Sequence, residues 1–136
     1  MEPGLDLNLL SGQTIGAAIE VHRVLGPGLL ESVYEEAMCI ELALRGVAFA
    51  RQLAIDVEYK RRRVGEARLD LVVEGKLIVE LKSVESFAPV HYAQLLSYLN
   101  ITSLRIGLLI NFNVRELRLG IKRIVNSPPQ NPKIPL

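Results

Sequence analysis

The chain has 136 residues, 49% of them hydrophobic, and a formal net charge of +1. This length and composition suit one domain with a substantial buried core. The balanced charge excludes a polybasic nucleic-acid binder, so any contact with nucleic acid must come from a local patch. Cys39 is the single cysteine, which excludes an intrachain disulfide and a four-cysteine zinc site.

The N-terminal stretch MEPGLDLN lacks the cationic and apolar segments of a secretory signal. No apolar run approaches the ~20 residues that are needed to span a bilayer. We therefore expect a cytoplasmic protein that does not enter a membrane.

Two helices are predicted at the start of the chain. Apolar residues in 7–26 follow helical spacing, with Gly26 as the C-cap and Pro27 preventing continuation. A second helix is predicted in 29–46, where Gly46 ends the helical pattern. The apolar face of this second helix is expected to comprise Leu30, Val33, Ala37, Ile40 and Leu44.

Residues after Gly46 alternate between apolar and polar types, which is typical of strands. The pattern predicts a strand in 47–60, an exposed turn in 60–67, and two strands, ARLDLVV and KLIVELKSV, that flank Gly75. A third helix is predicted to begin at Pro89. A buried strand in SLRIGLLINF and a further strand in VRELRLGIKRIV complete the pattern.

This order of elements predicts the fold class. Two helices, three strands, a helix and two further strands indicate an α/β (α+β) fold, with a central mixed sheet covered by helices. Residues 1–126 are predicted to form a single domain. Residues 127–136 contain four of the seven prolines and are predicted to be a C-terminal tail.

Three charged residues, Asp70, Glu80 and Lys82, lie inside the two strands that flank Gly75. Glu80 and Lys82 point to one face because side chains alternate along a strand. Asp70 and Glu80 are equally distant from Gly75 in the sequence. A hairpin with an odd number of loop residues, such as Glu74–Gly75–Lys76, therefore places the two acids opposite each other, ~5 Å apart at Cβ.

Two carboxylates at this distance repel each other, whereas a divalent cation between them makes the arrangement favourable. Two carboxylates and water suit Mg²⁺, and Lys82 could orient a water or stabilise charge on a phosphate. The same spacing is compatible with a weak salt bridge between solvent-facing Glu80 and Lys82. The spacing alone does not decide between these two interpretations.

The strand–turn–strand–helix context resembles the PD-(D/E)XK nuclease superfamily, whose signature is an acid on one strand followed by E-x-K on the next. The stretch GPGLLESVYEEAM contains Gly28-x-x-Glu31-x-x-Tyr34. Together with RLDLVVEGKLIVELKSV, PVHYAQLLSYL and LGIKRIV, it is similar to the small bacterial GxxExxY family, a branch of that superfamily. The resemblance extends from about Ile15 to Val125.

The resemblance implies a restriction-endonuclease-like core and metal-dependent hydrolysis of a phosphodiester in nucleic acid, with Mg²⁺ or Mn²⁺ as the cofactor. The implied metal ligands are Asp70, Glu80 and the backbone carbonyl of Leu81. The implied catalytic residues are Lys82, Glu31 and Gln94. The proline of the superfamily signature is absent, because Leu69 precedes Asp70. By contrast, we interpret Tyr34 as half-buried packing.

The only basic run, Lys60, Arg61, Arg62 and Arg63, is the expected contact with a nucleic-acid backbone. It is equally well interpreted as a solvated turn that protects a sheet edge. His91, near the start of the third helix, is a further candidate for a phosphate contact, with a solvated histidine as the alternative.

The expected partner is nucleic acid, with DNA as the first candidate. The alternative function is a non-catalytic module that binds nucleic acid or a protein and keeps the nuclease fold, and a third is hydrolysis of a small phosphorylated molecule. A homodimer that places two sites on one duplex is compatible with the size of the chain.

Overall fold

The structure, a computed structural model, describes residues 5–126. The predicted tail, 127–136, lies outside the described residues. The helices, in chain order, are α1 (Leu5–Leu25), α2 (Glu31–Leu44) and α3 (Pro89–Thr102). The strands are β1 (Phe49–Tyr59), β2 (Arg62–Val73), β3 (Leu77–Lys82), β4 (Ile106–Asn111) and β5 (Ile121–Val125).

The five strands form one sheet in the order of the sequence. Neighbouring strands are antiparallel except β3 and β4, which pair in parallel because α3 crosses over between them. The predicted α/β fold with a central mixed sheet flanked by helices is therefore confirmed, and it is consistent with a restriction-endonuclease-like core. No helix within residues 5–126 is long and apolar enough to cross a membrane.

Each face of the sheet packs against its own helices. On one face, alternate residues of β3 and β4 pack against α1 and α2; they are Leu77, Val79, Leu81, Ile106, Leu108 and Ile110. On the other face, Ile78 and Leu109 pack against Leu95 and Leu99 of α3. All of β4 is buried, as expected for a strand covered on both faces.

Both strands of the β1–β2 hairpin change faces midway along their length. Phe49 of β1 and Leu71 of β2 lie in the core with α1 and α2, whereas Ile55 and Leu69 lie in the core with α3. Residues an even number apart share a face in a regular strand. Each strand therefore turns over between these positions.

The turn-over of β1 occurs at Gln52, whose φ is +50°. This left-handed conformation is uncommon for a residue with a side chain. The ladder with β2 is interrupted at Gln52 and resumes with Leu53 opposite Leu69, so that Gln52 lies at the level of Asp70. The irregular part of the sheet thus coincides with one of the candidate site residues.

The apolar face predicted for α2 is wrong. The buried residues are Tyr34, Met38 and Leu42, whereas the exposed members of the predicted stripe are Leu30, Val33, Ile40 and Leu44. The two apolar stripes lie roughly 120° apart around a helix of 3.6 residues per turn. The sheet packs against the stripe that contains the aromatic ring, because Tyr34 stacks on Phe112.

The predicted turn over 60–67 is too long. Only Lys60 and Arg61 form the turn, both with left-handed φ, at +50° and +67°. These are the φ signs of a two-residue type I′ hairpin, whose twist matches that of the flanking strands. Because β2 already begins at Arg62, the basic run lies at the tip of a longer β1–β2 hairpin than the sequence suggested.

The strand predicted in VRELRLGIKRIV is only partly correct. Leu117–Gly120 forms a 3₁₀ turn before β5 begins. At Gly120 an added Cβ would lie 2.2 Å from the backbone oxygen of Asn111, so that only glycine allows this close approach to β4. The chain therefore crosses the end of β4 before it can pair with it.

Candidate active site

The β2–β3 hairpin has the predicted geometry. Its loop is Glu74–Gly75–Lys76, because β2 ends at Val73 and β3 begins at Leu77, and these two residues are paired. The ladder ends with Leu71 opposite Val79, and the same register continued by one residue places Asp70 opposite Glu80. The prediction of a loop with an odd number of residues, such as Glu74–Gly75–Lys76, is confirmed.

Side chains replace the backbone ladder at the level of the two acids. The Asp70 N–H donates a hydrogen bond of 2.8 Å to Glu80 Oε2, and the Leu81 N–H donates one of 2.8 Å to Asp70 Oδ2. Each carboxyl group thus binds a backbone N–H of the opposite strand. Asp70 Oδ1 and Glu80 Oε1 take no part in these two bonds and are the oxygens with which the pair can bind a ligand.

Both carboxyl groups are poorly solvated. Burial, followed by the charge of Asp70, raises the pKa of Glu80 to about 8. Burial also raises the pKa of Asp70, against the opposing effect of the Leu81 N–H. The charge of Lys82 lowers the pKa of both acids. A nearby cation is therefore what favours the ionised form of this pair.

The donor set fits magnesium or manganese and does not fit structural zinc. Within residues 5–126, no group of three or more His, Cys, Asp and Glu side chains is arranged to hold a metal ion. The site instead brings two carboxyl groups together, and the backbone carbonyl of Leu81 stays a predicted ligand. Mg²⁺ accepts one or two carboxylates and keeps several waters, whereas structural zinc takes four protein ligands.

Lys82 is available to a ligand. It lies two residues after Glu80 on β3, so side-chain alternation puts both on the sheet face that α3 covers. It is partly buried. None of the ion pairs found within residues 5–126 uses it.

Glu31, the first residue of α2, lies beside the end of β3. Its Oε2 accepts a hydrogen bond of 3.4 Å from the Ser83 N–H, while the Ser83 hydroxyl donates one of 2.6 Å to the Leu29 carbonyl. The charge of Glu31 contributes to the raised pKa of Asp70. The structure therefore brings this predicted residue to the edge of the acidic pair.

Tyr34 fixes the loop from which Glu31 projects. It is fully buried, rather than half-buried as predicted, and stacks on Phe112 with ring centroids 4.4 Å apart. Its hydroxyl donates a hydrogen bond of 2.6 Å to the Gly26 carbonyl and accepts one of 3.1 Å from the Leu29 N–H. In the Gly28–Glu31–Tyr34 spacing, Gly28 therefore lies in the loop, Glu31 follows the loop, and Tyr34 holds the loop by hydrogen bonds on either side of Gly28.

The charges of the acidic pair affect Tyr98 of α3, whereas, within residues 5–126, Gln94 and His91 of the same helix form no hydrogen bond with the pair. Burial and the charges of Glu80 and Asp70 raise the pKa of Tyr98, which lies four residues after Gln94. Gln94 itself is exposed, and no hydrogen bond within the described chain joins it to Lys82 or to either acid. His91 Nδ1 accepts a 3.0 Å hydrogen bond from the Ala88 N–H, which caps α3.

Two residues that the sequence analysis missed also belong to the site. The charge of Glu35 raises the pKa of both Asp70 and Glu80. Gln52 Nε2 lies 2.6 Å from Glu35 Oε1 and 3.4 Å from Asp70 Oδ1. The spacing of Glu31 and Glu35, one helical turn apart, was a usable signal. Nothing in the pattern around Gln52 indicated its role.

The basic run is not brought to the acids. Arg62 is separated from Asp70 by eight residues of extended β2, or ~26 Å at ~3.3 Å per residue. Arg63 is bound to Asp56 and Glu66, with N–O distances of 2.9 and 3.4 Å. Lys60, Arg61 and Arg62 are exposed at the tip. They remain candidates for a contact away from the acidic pair.

A sequence model of the PD-(D/E)XK nuclease superfamily matches residues 8–124. The chain belongs to this superfamily, whose nucleases generally use Mg²⁺ or Mn²⁺ and act on nucleic acid. The superfamily predicted from the sequence is therefore confirmed. No curated protein matches the chain.

Proposed function

We propose that the protein is a metal-dependent nuclease that hydrolyses phosphodiester bonds, with DNA as the first substrate to test. The observation that supports this most strongly is the pairing of Asp70 and Glu80 across the hairpin, each held by a backbone N–H and each with one further oxygen for a ligand. Membership of the nuclease superfamily supports the same chemistry.

In this proposal Asp70, Glu80 and the Leu81 carbonyl hold the ion. When bound, Mg²⁺ or Mn²⁺ supplies charge neutralisation for the phosphate and lowers the pKa of the attacking water. Lys82 orients that water and stabilises the negative charge that develops on the phosphate. Glu31 supports these groups from α2. Gln94, which is exposed on α3, is proposed to contact the phosphate of the substrate.

We assign the protein to the GxxExxY branch because Gly28, Glu31 and Tyr34 are present at the spacing of that family. The Tyr34 hydroxyl supports the assignment, because it binds Gly26 and Leu29 on either side of Gly28. Lys60, Arg61, Arg62 and Arg63 are proposed to contact the nucleic-acid backbone, with His91 as a further phosphate contact. A cytoplasmic location and a homodimer that cuts both strands of one duplex remain part of the proposal.

A cleavage assay tests the proposed activity. Wild type, Lys82→Ala and a matched surface control, Lys76→Ala, are incubated with Mg²⁺ or Mn²⁺ and supercoiled, linear or single-stranded DNA or RNA. Wild type and Lys76→Ala should cleave at least one substrate, whereas Lys82→Ala should cleave it about 10²–10³-fold more slowly. If wild type cleaves none of these substrates faster than Lys82→Ala does, the nuclease proposal is wrong.

A further inference from the structure

We propose that Gln52 is a positioning residue that holds the Asp70 carboxyl group in the orientation needed to bind a metal ion. The proposal rests on the metal site proposed above, although its test includes a measurement without metal. Its basis is one side-chain amide placed between two acids. Gln52 Nε2 donates to Glu35 Oε1 at 2.6 Å and to Asp70 Oδ1 at 3.4 Å.

The orientation of this amide follows from the chemistry of its neighbours. Ionised carboxyl groups only accept hydrogen bonds, so the two N–H groups of the amide must face them and its oxygen must face away. One hydrogen is then available for each acid. The Gln52 amide thereby separates two like charges that otherwise repel each other.

Gln52 also completes the restraint on Asp70. The Leu81 N–H holds Oδ2 at 2.8 Å, and a carboxyl group held through one oxygen can still rotate about its broad terminal torsion. The hydrogen bond from Gln52 to Oδ1 restrains the second oxygen of the carboxyl group. At 3.4 Å this contact is long enough to yield when Oδ1 turns toward a cation.

The backbone of β1 supports a functional role for this side chain. Gln52 adopts a φ of +50° within a strand, a conformation that glycine would adopt without strain. If this position served only to turn β1 over, glycine would suit it better than glutamine. Arg51, the preceding residue, binds Glu35 at 2.8 Å, so the partner of the amide is itself fixed to β1.

The substitution Gln52→Gly separates the two roles, because it keeps the turn-over and removes the amide. Ser103→Gly is the matched control, since Ser103 is exposed at the end of α3 with a φ of +60° and lies outside the site. Two quantities are measured for both variants. They are hydrogen exchange of the Leu81 amide in metal-free protein and the affinity for Mn²⁺ by calorimetry.

We expect Gln52→Gly to fold with an unchanged or higher melting temperature, to exchange the Leu81 amide faster than wild type, and to bind Mn²⁺ about 10–100-fold more weakly. Ser103→Gly should change neither exchange nor affinity. Gln52→Asn, which tolerates the left-handed backbone but is one methylene shorter, should show the same two effects and provides the test if the glycine variant unfolds.

Unchanged Leu81 exchange and unchanged Mn²⁺ affinity in a folded Gln52 variant would overturn the proposal, because Gln52 would then only shape β1. Failure of the proposed metal site has a different signature. In that case wild type binds no Mn²⁺, yet the Leu81 amide still exchanges faster in Gln52→Gly than in Ser103→Gly, which supports the positioning of Asp70 without a metal role.

Discussion

The Glu80 carboxyl group accepts a 2.8 Å hydrogen bond from the backbone N–H of Asp70, the residue opposite it in the β2–β3 hairpin. The two acids therefore do more than face each other. They take over the hydrogen bonds of the backbone at the level where β2 begins to leave β3. A substitution at either position must be judged on this structural role as well as on charge.

The first prediction concerns the effect of Glu80→Gln on stability as a function of pH. The pKa of Glu80 is raised from 4.5 to about 8 in the folded protein, so the folded state binds more protons than the unfolded state between these values. The stability that protonated Glu80 contributes is thus fully present below 4.5 and is lost as pH rises through about 8.

In the presence of chelator, Glu80→Gln should match wild type near pH 4.5 and exceed its stability above pH 8. We expect a gain of ~2 kcal/mol, or roughly 8 °C in melting temperature, once the relaxation of a charged buried group is allowed for. Thermal unfolding at the two pH values checks this. Glu58→Gln, an exposed acid on β1, is the control. An equal gain at both pH values would contradict the raised pKa.

The second prediction separates metal binding from turnover. Asp70→Asn and Glu80→Gln each replace a carboxyl group, which can ionise to bind a cation, with a neutral amide of similar size, so both should lose most of the affinity for Mn²⁺ and all Mg²⁺-dependent cleavage. Lys82→Ala should retain metal affinity and lose about 10²–10³-fold in kcat, because lysine acts on the developing charge. Calorimetry beside single-turnover cleavage measures both effects. Loss of metal affinity in Lys82→Ala would contradict the assignment of metal binding to the two acids and of charge stabilisation to Lys82.

The sequence alone predicted the register of the β2–β3 hairpin, but it did not predict how the surrounding elements pack. The level of Asp70 and Glu80 follows from equal spacing about Gly75, which fixes the register once the loop has an odd number of residues. The buried face of α2 could not be obtained in this way. Two apolar stripes run along that helix, and periodicity does not tell which of them meets the sheet.

The positions of Glu35 and Gln52 depend on features that no local pattern expresses. Glu35 reaches the acids because α2 packs across the sheet through Tyr34. Gln52 reaches them because its backbone is left-handed, and glutamine has no preference for that conformation. Spacing along one hairpin was therefore enough to find Asp70, Glu80 and Lys82. Glu31, on α2, was found only through the family resemblance, and Glu35 and Gln52 were missed.

The third prediction concerns the tip of the β1–β2 hairpin. Replacing Lys60, Arg61 and Arg62 with alanine should weaken binding to all sequences alike and lower the slope of log affinity against log salt by about 0.9 for each phosphate that the protein no longer neutralises. Lys122→Ala, an exposed lysine on β5 at the opposite edge, should leave the slope unchanged. Fluorescence anisotropy across a salt series measures the slope. An unaltered slope in the triple variant would show that the basic run is a solvated turn that does not contact phosphate.

The fourth prediction tests whether the hydrogen bonds of the Tyr34 hydroxyl hold the loop before Glu31 in the position that catalysis needs. Tyr34→Phe keeps the stacking on Phe112 but leaves the Gly26 carbonyl and the Leu29 N–H without their partner. The free energy of unfolding should fall by about 1–2 kcal/mol, because a partly buried polar group loses its hydrogen bond. Cleavage should fall further than the loss of stability explains, since the loop that presents Glu31 is no longer held.

Urea unfolding and cleavage rates measured at a temperature where both proteins are folded provide the comparison. A variant that is less stable but cleaves at the wild-type rate would show that the loop position does not matter for Glu31.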